Sequence, residues 1–311
     1  MKQRIITSIF LITFGIMYLF IGAIYQEWNL SYMSYVFMSI NTILLVIAVF
    51  EILYLRIVNF KIVLLIKTII AILSVFLLWF PIIQDLHFEP YFIKNTEISR
   101  IEWWNSWMVF IVYAFFLFVF LLIAKLVPNL NIMDMCLNFI YVVILIFAFK
   151  VMNYLMLQKG YGFITITILL LITISNDSFA YLGGKFYGKH QLASKISPLK
   201  TWEGTFIGIS SALVLSLSYV AIVTELLGYI PFASFFSQKT KEYKYIIYFL
   251  LFVFLSLVSH LGDLLFSIFK RHYKIKDFGS FLPGHGGLLD RIDSLVLVLV
   301  CIGFFIVLLQ N

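Results

Sequence analysis

The part of the sequence that decides both the fold and the site runs from Ser267 to Asp293 and reads SIFKRHYKIKDFGSFLPGHGGLLDRID. It is the most polar and most glycine-rich run of its length in the chain, and it lies between two apolar segments. Irregular polar backbone is not tolerated against lipid, so the run must face water or line a cavity inside the protein.

This run contains the groups that bind phosphate and hard cations. Its basic side chains can neutralise phosphate, and they are Lys270, Arg271, Lys274, Lys276 and Arg291. Its glycines allow a ligand to approach the backbone closely, and they include Gly284, Gly286 and Gly287. Its carboxylates can hold a divalent cation through oxygen, and they are Asp277, Asp290 and Asp293. The composition therefore indicates a phosphate-and-metal site.

The run resembles the signature of the phosphatidate cytidylyltransferases, which make CDP-diacylglycerol. That pattern has Ser, a hydrophobic residue two positions on, Lys-Arg, four free positions, Lys-Asp, and then Pro-x-His-Gly-Gly-x-x-Asp-Arg-x-Asp. Every fixed position is met, and the matching polar and glycine residues are Ser267, Lys270, Arg271, Lys276, Asp277, His285, Gly286, Gly287, Asp290, Arg291 and Asp293. A pattern of about a dozen fixed residues rarely arises by chance, unlike a lone glycine-rich loop.

The composition of the whole chain is that of a polytopic membrane protein. Of its 311 residues, 63% are hydrophobic and only 12% are charged. Apolar windows predict an all-α protein with about nine spans, near residues 5–25, 33–54, 62–84, 106–127, 135–156, 162–182, 205–228, 244–266 and 294–310. The net charge of +7 comes from short loops beside these spans, so we expect no nucleic-acid partner.

The basic residues predict the orientation. Alternation of nine spans puts Lys2 and Arg4, the loop 183–204 and the loop 267–293 on one side, which the positive-inside rule makes cytoplasmic. The opposite side holds the acidic loop 85–104 and the segment 229–243, whose lysines are the weak point of the assignment. We expect an integral protein of a bacterial inner or plasma membrane, with a cytoplasmic N-terminus and active site.

We divide the chain into an N-terminal transmembrane scaffold, residues 1–160, and a catalytic transmembrane region, residues 161–311. The scaffold has few polar groups, and its Lys67 and Lys150 are expected to snorkel from span ends. The second half carries Asp177 near the end of span six, and an ionisable residue inside a span is a functional candidate by default.

Two further stretches match the family with one departure each. Lys200, Thr201, Glu203 and Gly204 fit its Ser-Pro-Lys-Lys-Thr-x-Glu-Gly stretch, but Leu199 replaces the first lysine. Asp263 fits its Gly-Asp-Leu-x-Glu-Ser stretch, but Phe266 replaces the glutamate. Each departure removes one charged group from the expected site.

The resemblance implies attack of a phosphatidate oxygen on the α-phosphorus of CTP, with release of pyrophosphate. We expect catalysis to depend on Asp290, Asp263, Lys270, Arg271 and Lys276. The expected substrate-binding residues are Lys200, Thr201, Glu203, Ser267, Gly284, His285, Gly286, Gly287 and Arg291. Asp290 and Asp263, supported by Asp293 and Asp177, are the expected metal ligands for Mg²⁺. A second cation such as K⁺ and a homodimeric assembly stay open.

Three alternatives remain at this point. A CTP-dependent transferase acting on another lipid phosphate or an isoprenoid alcohol would use the same chemistry. A transporter would spread polar residues through several spans at mid-membrane depth, whereas here they gather at span ends and in two loops. An inactive homologue would explain Leu199 and Phe266, but it leaves the intact carboxylates unexplained.

Overall fold

The computed structural model describes residues 2–28, 31–55, 60–79, 107–128, 130–157, 162–232, 243–284 and 286–310. Within these ranges the chain forms helices and one small hairpin. The helices are α1 (Lys2–Trp28), α2 (Ser31–Ile52), α3 (Phe60–Trp79), α4 (Trp107–Leu126), α5 (Ile132–Leu157), α6 (Gly162–Tyr187), α7 (Trp202–Leu227), α8 (Lys244–His272) and α9 (Leu289–Gln310). The hairpin pairs β1 (Gln191–Ala193) with β2 (Ser197–Thr201) in antiparallel fashion.

Seven of the described helices are long and apolar enough to cross a membrane: α1, α2, α3, α5, α6, α7 and α8. The expectation of a polytopic helical membrane protein is therefore confirmed. Helix α4 has a shorter described apolar part, Phe110–Leu126, and α9 begins with charged residues, so the count of about nine spans stays a prediction. The predicted acidic loop 85–104 and the lysines of segment 229–243 lie outside the described residues.

The loop boundaries differ from the predicted ones. The run 267–293 is not a single loop, because α8 continues to His272 and α9 begins at Leu289. Basic residues in the last turn of α8 and Asp290 in the first turn of α9 are favourably placed in the fields of the two helix ends. The irregular part is therefore residues 273–288, which we call the motif loop.

Helix α5 is the centre of the bundle. It packs against α1, α2, α3, α4, α6 and α9, and most of its second half is buried. Lys150 lies in that half and is only 4% exposed, so the expectation that it snorkels is wrong. Lys67 is half-buried, and its Nζ donates to the Phe50 carbonyl at 2.6 Å.

Helices α6 and α7 pack unusually closely because glycines line their contact. A Cβ on Gly204 would lie 2.5 Å from the Ala180 carbonyl oxygen, and one on Gly208 would lie 2.7 Å from the Asn176 carbonyl oxygen. Neither carbonyl can move without disturbing its helix. The close contact fixes the end of α6 beside the hairpin and the start of α7, where the candidate site lies.

Candidate functional site

The charged residues of the second half meet at one end of the bundle. The end of α6, the hairpin, the starts of α7 and α9 and the end of α8 surround this point. The start of α1 lies at the same end, because Thr7 Oγ1 donates to the Pro283 carbonyl at 2.8 Å. The sequence predicted four carboxylates, Asp177, Asp263, Asp290 and Asp293, at one metal site, and the contacts of each are given below.

Asp263 on α8 joins the hairpin to the helix. Its Oδ2 lies 2.5 Å from Lys200 Nζ, and its Oδ1 accepts from Ser267 Oγ at 3.3 Å. Both side chains of the ion pair are partly screened from solvent, with exposures of 18% for Lys200 and 30% for Asp263. A lysine from the hairpin and a carboxylate from α8 thus face one another at the rim of the site.

Asp177 and Asp293 lie close to Asp263. Asp177 Oδ2 accepts from Ser294 Oγ at 2.8 Å, which ties α6 to α9. Asp293 is 7% exposed, and its Oδ1 accepts the N–H of Ser294 at 2.8 Å. Asp177, Asp263 and Asp293 are near enough to repel one another electrostatically.

Asp290 is the most heavily bonded carboxylate of the site. Its Oδ1 accepts from Lys270 Nζ at 2.9 Å, and its Oδ2 accepts the N–H groups of Phe278 at 2.8 Å and Gly287 at 3.0 Å. Lys270 also lies 3.8 Å from Asp293 Oδ2 and 5.0 Å from the centre of the Phe278 ring. Asp290 therefore shapes the motif loop, while Lys270 lies between the two aspartates of α9, Asp290 and Asp293.

A polar cavity of about 200 Å³ opens beside the Lys200–Asp263 pair. Its lining residues are Asp177, Ala180, Tyr181, Ser197, Leu199, Lys200, Thr201, Thr205, His260 and Asp263. Leu199 is 82% exposed at the place where the family pattern has a lysine. The cavity brings residues from α6, the hairpin, α7 and α8 onto one surface of a size suited to phosphate groups.

Other predicted residues have local partners in the structure. Thr201 Oγ1 accepts the Gly204 N–H at 3.1 Å and caps α7. Glu203 Oε2 accepts the N–H groups of Lys189 and His190 at 3.1 and 3.2 Å, which holds the turn after α6. Thr201 lines the cavity, whereas the contacts of Glu203 are with the turn after α6.

The basic residues of the predicted site divide into two groups. Arg271 Nε donates to the Ile196 carbonyl at 3.0 Å, so it fastens the hairpin turn to the end of α8. Lys276 and Arg291 are exposed at the same end of the bundle. These last two side chains add exposed positive charge near the motif loop.

The glycines of the motif loop serve its backbone. Gly284 and Gly286 have φ values of 78° and 85°, a region that glycine occupies without strain. The N–H of Gly287 is used by Asp290 rather than directed at the cavity. The predicted residue His285 lies outside the described residues.

Glu51, in the last turn of α2, is a residue of the site that the sequence did not predict. Its two carboxylate oxygens accept the N–H groups of Leu288 at 2.9 Å and Leu289 at 2.8 Å, at the start of α9. An acidic residue near the end of an apolar span was the available signal, but nothing in the local pattern predicted contact with a loop more than 230 positions away.

Phe266 explains how the chain accommodates the loss of the family's glutamate. The residue is 2% exposed and packs edge-on against Tyr141 at 5.3 Å and Phe278 at 5.9 Å between ring centres. Edge-to-face contacts of this kind are favourable. An aromatic contact between α5, α8 and the motif loop thus stands at that position.

The donor chemistry of the site fits a hard cation. Among the described residues, the four carboxylates Asp177, Asp263, Asp290 and Asp293 have two ammonium groups in direct contact with them, those of Lys200 and Lys270. In the described part of the chain, no three acidic, histidine or cysteine side chains already stand at metal-binding spacing. Asp263 is held by Lys200 instead, so a cation would require that lysine to move aside.

The fold and the site together define an integral membrane protein with carboxylates and lysines gathered at one end of its helical bundle. A sequence model of the cytidylyltransferase family matches residues 2–309. The chain therefore belongs to the cytidylyltransferase family, and the resemblance in the motif run is confirmed.

Similar bacterial proteins carry the name phosphatidate cytidylyltransferase. The protein of Rickettsia bellii is 42% identical over 132 residues, which is 42% of this chain and 53% of that one. That of Bacillus subtilis is 41% identical over 148 residues, or 48% of this chain and 49% of that one. That of Haemophilus influenzae is 35% identical over 147 residues, or 47% and 46%. The chain spans about half the length of the curated relatives it matches.

Proposed function

We propose that this chain transfers the cytidylyl group of CTP to phosphatidate, giving CDP-diacylglycerol and pyrophosphate. The observation that carries the proposal is the Lys200–Asp263 pair at the rim of a polar cavity, backed by Lys270, Asp290 and Asp293. Family membership and the names of the relatives support the same reaction.

The reaction forms one P–O bond and breaks another. A phosphate oxygen of phosphatidate attacks the α-phosphorus of CTP, and the bond from that phosphorus to the β-phosphate oxygen breaks, so pyrophosphate leaves with the electron pair. A phosphate monoester has its second pKa near about 6 and is already anionic at neutral pH. The enzyme therefore needs no strong general base, and its task is positioning and charge neutralisation.

Basic residues from different parts of the chain would neutralise the phosphate charge. Lys200 enters from the hairpin and Lys270 from α8, so the two ammonium groups approach the site from two directions. On CTP binding, Lys200 exchanges Asp263 for a phosphate oxygen, which frees that carboxylate. Lys276 and Arg291, exposed at the same end, draw the triphosphate towards the cavity.

The carboxylates suit a magnesium site. Asp263, Asp293 and Asp177 would hold the ion. Asp290, which the sequence also predicted as a ligand, has both oxygens bonded within the protein and would serve mainly to hold the motif loop. Bound Mg²⁺ would supply charge neutralisation for the phosphates and pyrophosphate. A second cation such as K⁺ would add to the same neutralisation.

The lipid substrate finds apolar surface beside the cavity. A groove of about 540 Å³ runs along α6 and α7 and is lined by Phe179, Phe206, Ile207, Ser210, Ser211, Val214 and Leu215. Phe179 and Phe206 are the chain neighbours of Ala180 and Thr205, which line the polar cavity. An acyl chain in this groove would leave its phosphate at the cavity.

We further infer that the chain lies in a bacterial inner or plasma membrane with the site on the cytoplasmic side. CTP is a cytoplasmic nucleotide, and Lys2 and Arg4 lie in the first turn of α1, the helix whose Thr7 contacts the motif loop. Positive charge at the cytoplasmic end of a span follows the positive-inside rule. The N-terminus and the site would then share one side.

Acceptor competition tests the proposal. The purified chain is given labelled CTP with phosphatidate, lysophosphatidate, a polyprenyl phosphate or a polyprenol, and chloroform-extractable label is measured. We expect phosphatidate to be preferred by at least about tenfold in kcat/KM. A preference for the polyprenol would contradict phosphatidate as the acceptor and would show that the nucleophile is an alcohol.

A further inference from the structure

We propose that Glu51, on α2 of the N-terminal half, is a positioning residue for the reaction. Its carboxylate holds the end of the motif loop and the start of α9 in the arrangement that the nucleotide meets. The catalytic part of this inference rests on the proposed function, and the structural part does not.

The contact is bidentate and specific. One carboxylate oxygen accepts the N–H of Leu288 at 2.9 Å, and the other accepts the N–H of Leu289 at 2.8 Å. Amides at the start of a helix have no partner inside that helix, and a negative group there also interacts favourably with the helix dipole. Glu51 thus caps α9 from a helix that is distant in sequence.

Two glycines make room for this carboxylate. A Cβ on Gly287 would lie 2.6 Å from Glu51 Oε2, and one on Gly279 would lie 2.9 Å from Oε1. Gly279 lies near the middle of the motif loop and Gly287 near its end. The carboxylate is therefore enclosed by two parts of the same loop.

A contact with α3 fixes the position of Glu51. Lys67 on α3 donates to the carbonyl of Phe50 at 2.6 Å, which anchors the last turn of α2 next to Glu51. This lysine is near enough to Glu51 to interact with its charge. A chain of contacts thus runs from α3 through α2 to α9.

Asp290 connects the Glu51 contact to the charged residues of the site. Glu51 holds the amides of Leu288 and Leu289, while Asp290, the next residue, accepts the N–H of Gly287 and the ammonium of Lys270. A shift in the start of α9 would therefore move Asp290 and Asp293 relative to Lys270 on α8. It also follows that the amides of Leu288 and Leu289 are used by the protein and are not donors to phosphate.

The test is Glu51→Gln in the full-length chain in nanodiscs. Glutamine keeps the size but offers one acceptor oxygen and an NH₂ group that faces a backbone N–H, so one of the two contacts is lost. We expect hydrogen exchange in the peptide containing Leu288 and Leu289 to become at least about tenfold faster. We also expect the KM for CTP to rise about tenfold, a quantity that loss of folded protein does not change.

Asp134→Asn is the matched control. Asp134 is also a buried acid of the N-terminal half at this end of the bundle, where its Oδ1 lies 2.7 Å from Nε2 of His272. This variant should lose thermal stability without changing exchange at Leu288 and Leu289 or the KM for CTP.

Each outcome decides the proposal. Unchanged exchange in Glu51→Gln would overturn it, as would the same exchange pattern in the Asp134→Asn control. Faster exchange with an unchanged KM would leave Glu51 a structural cap and reject its positioning role. If the parent forms no CDP-lipid, the proposed function fails, and the exchange measurement alone decides whether Glu51 holds the loop.

Discussion

The ammonium group of Lys270, near the end of α8, lies 2.9 Å from Oδ1 of Asp290, in the first turn of α9. The other oxygen of that carboxylate accepts the N–H groups of Phe278 and Gly287. One side chain thus joins two helices and two points of the motif loop between them. Asp290 therefore stabilises the fold of the motif run independently of any ligand.

We expect Asp290→Asn to destabilise the protein as well as to impair it. Lys270 and Asp290 are 12% and 6% exposed, and removing one partner of a buried ion pair costs about 3 kcal/mol. The Tm measured by intrinsic fluorescence should fall by about 5 °C or more. Asp277→Asn, an exposed acid in the same loop, is the control and should leave the Tm unchanged. An equal Tm for parent and Asp290→Asn would show that the Lys270–Asp290 pair does not stabilise the fold.

Gly287→Ala should disrupt the contact with Glu51. The added Cβ would lie 2.6 Å from Glu51 Oε2, so either the carboxylate or the loop must move. We expect a lower Tm and at least about tenfold lower activity. Gly15→Ala is the control, because its Cβ would meet nothing within 4 Å and alanine favours a helix. A Gly287→Ala protein with parental Tm and activity would contradict the close packing described here.

Leu199→Lys should improve nucleotide binding, because it restores the lysine of the family pattern beside the cavity. The residue is 82% exposed, so the added charge acts through water and contributes at most about 1 kcal/mol, or roughly fivefold in the KM for CTP. The gain should shrink as salt is raised. Leu199→Met, which adds no charge, should match the parent. A gain that does not depend on salt would reject the electrostatic explanation.

Metal binding can be measured without turnover by the electron paramagnetic resonance of Mn²⁺ added to the protein. Asp263→Asn should weaken binding at least about tenfold, because it removes a carboxylate ligand. Lys200→Met should leave the affinity unchanged or raise it, since Lys200 Nζ lies 2.5 Å from Asp263 Oδ2 and competes with the ion. Weaker binding in Lys200→Met would show that the lysine does not compete with the ion, and parental binding in Asp263→Asn would show that the ion does not use this carboxylate.

The sequence predicted what depends on composition and on a fixed pattern. Hydropathy predicted the membrane helices, and charged residues at span ends predicted that Asp177, Asp263 and Asp293 would meet at one end of the bundle. The structure adds that α8 extends through Lys270 and that α9 begins at Leu289. Hydropathy windows stop at the first charges, whereas helices continue through charges that suit their ends.

The sequence did not predict the contacts between distant segments. Glu51 and Leu288 meet because α2 packs near α9, and no local periodicity encodes such a meeting. Lys150 was mistaken for a snorkelling residue because linear position cannot distinguish a lipid-facing side of α5 from a buried one. Predicting which residues contact one another requires the packed structure, whereas predicting helices and the chemistry of the site does not.

The most direct test is product formation by the purified chain from labelled CTP and phosphatidate, with lipid and pyrophosphate both quantified. We predict one pyrophosphate for each CDP-lipid, dependence on Mg²⁺, and a loss of about two orders of magnitude or more in Asp263→Asn. A folded parent protein that makes no CDP-lipid from any of several lipid phosphates would contradict the account. So would an Asp263→Asn protein with parental activity.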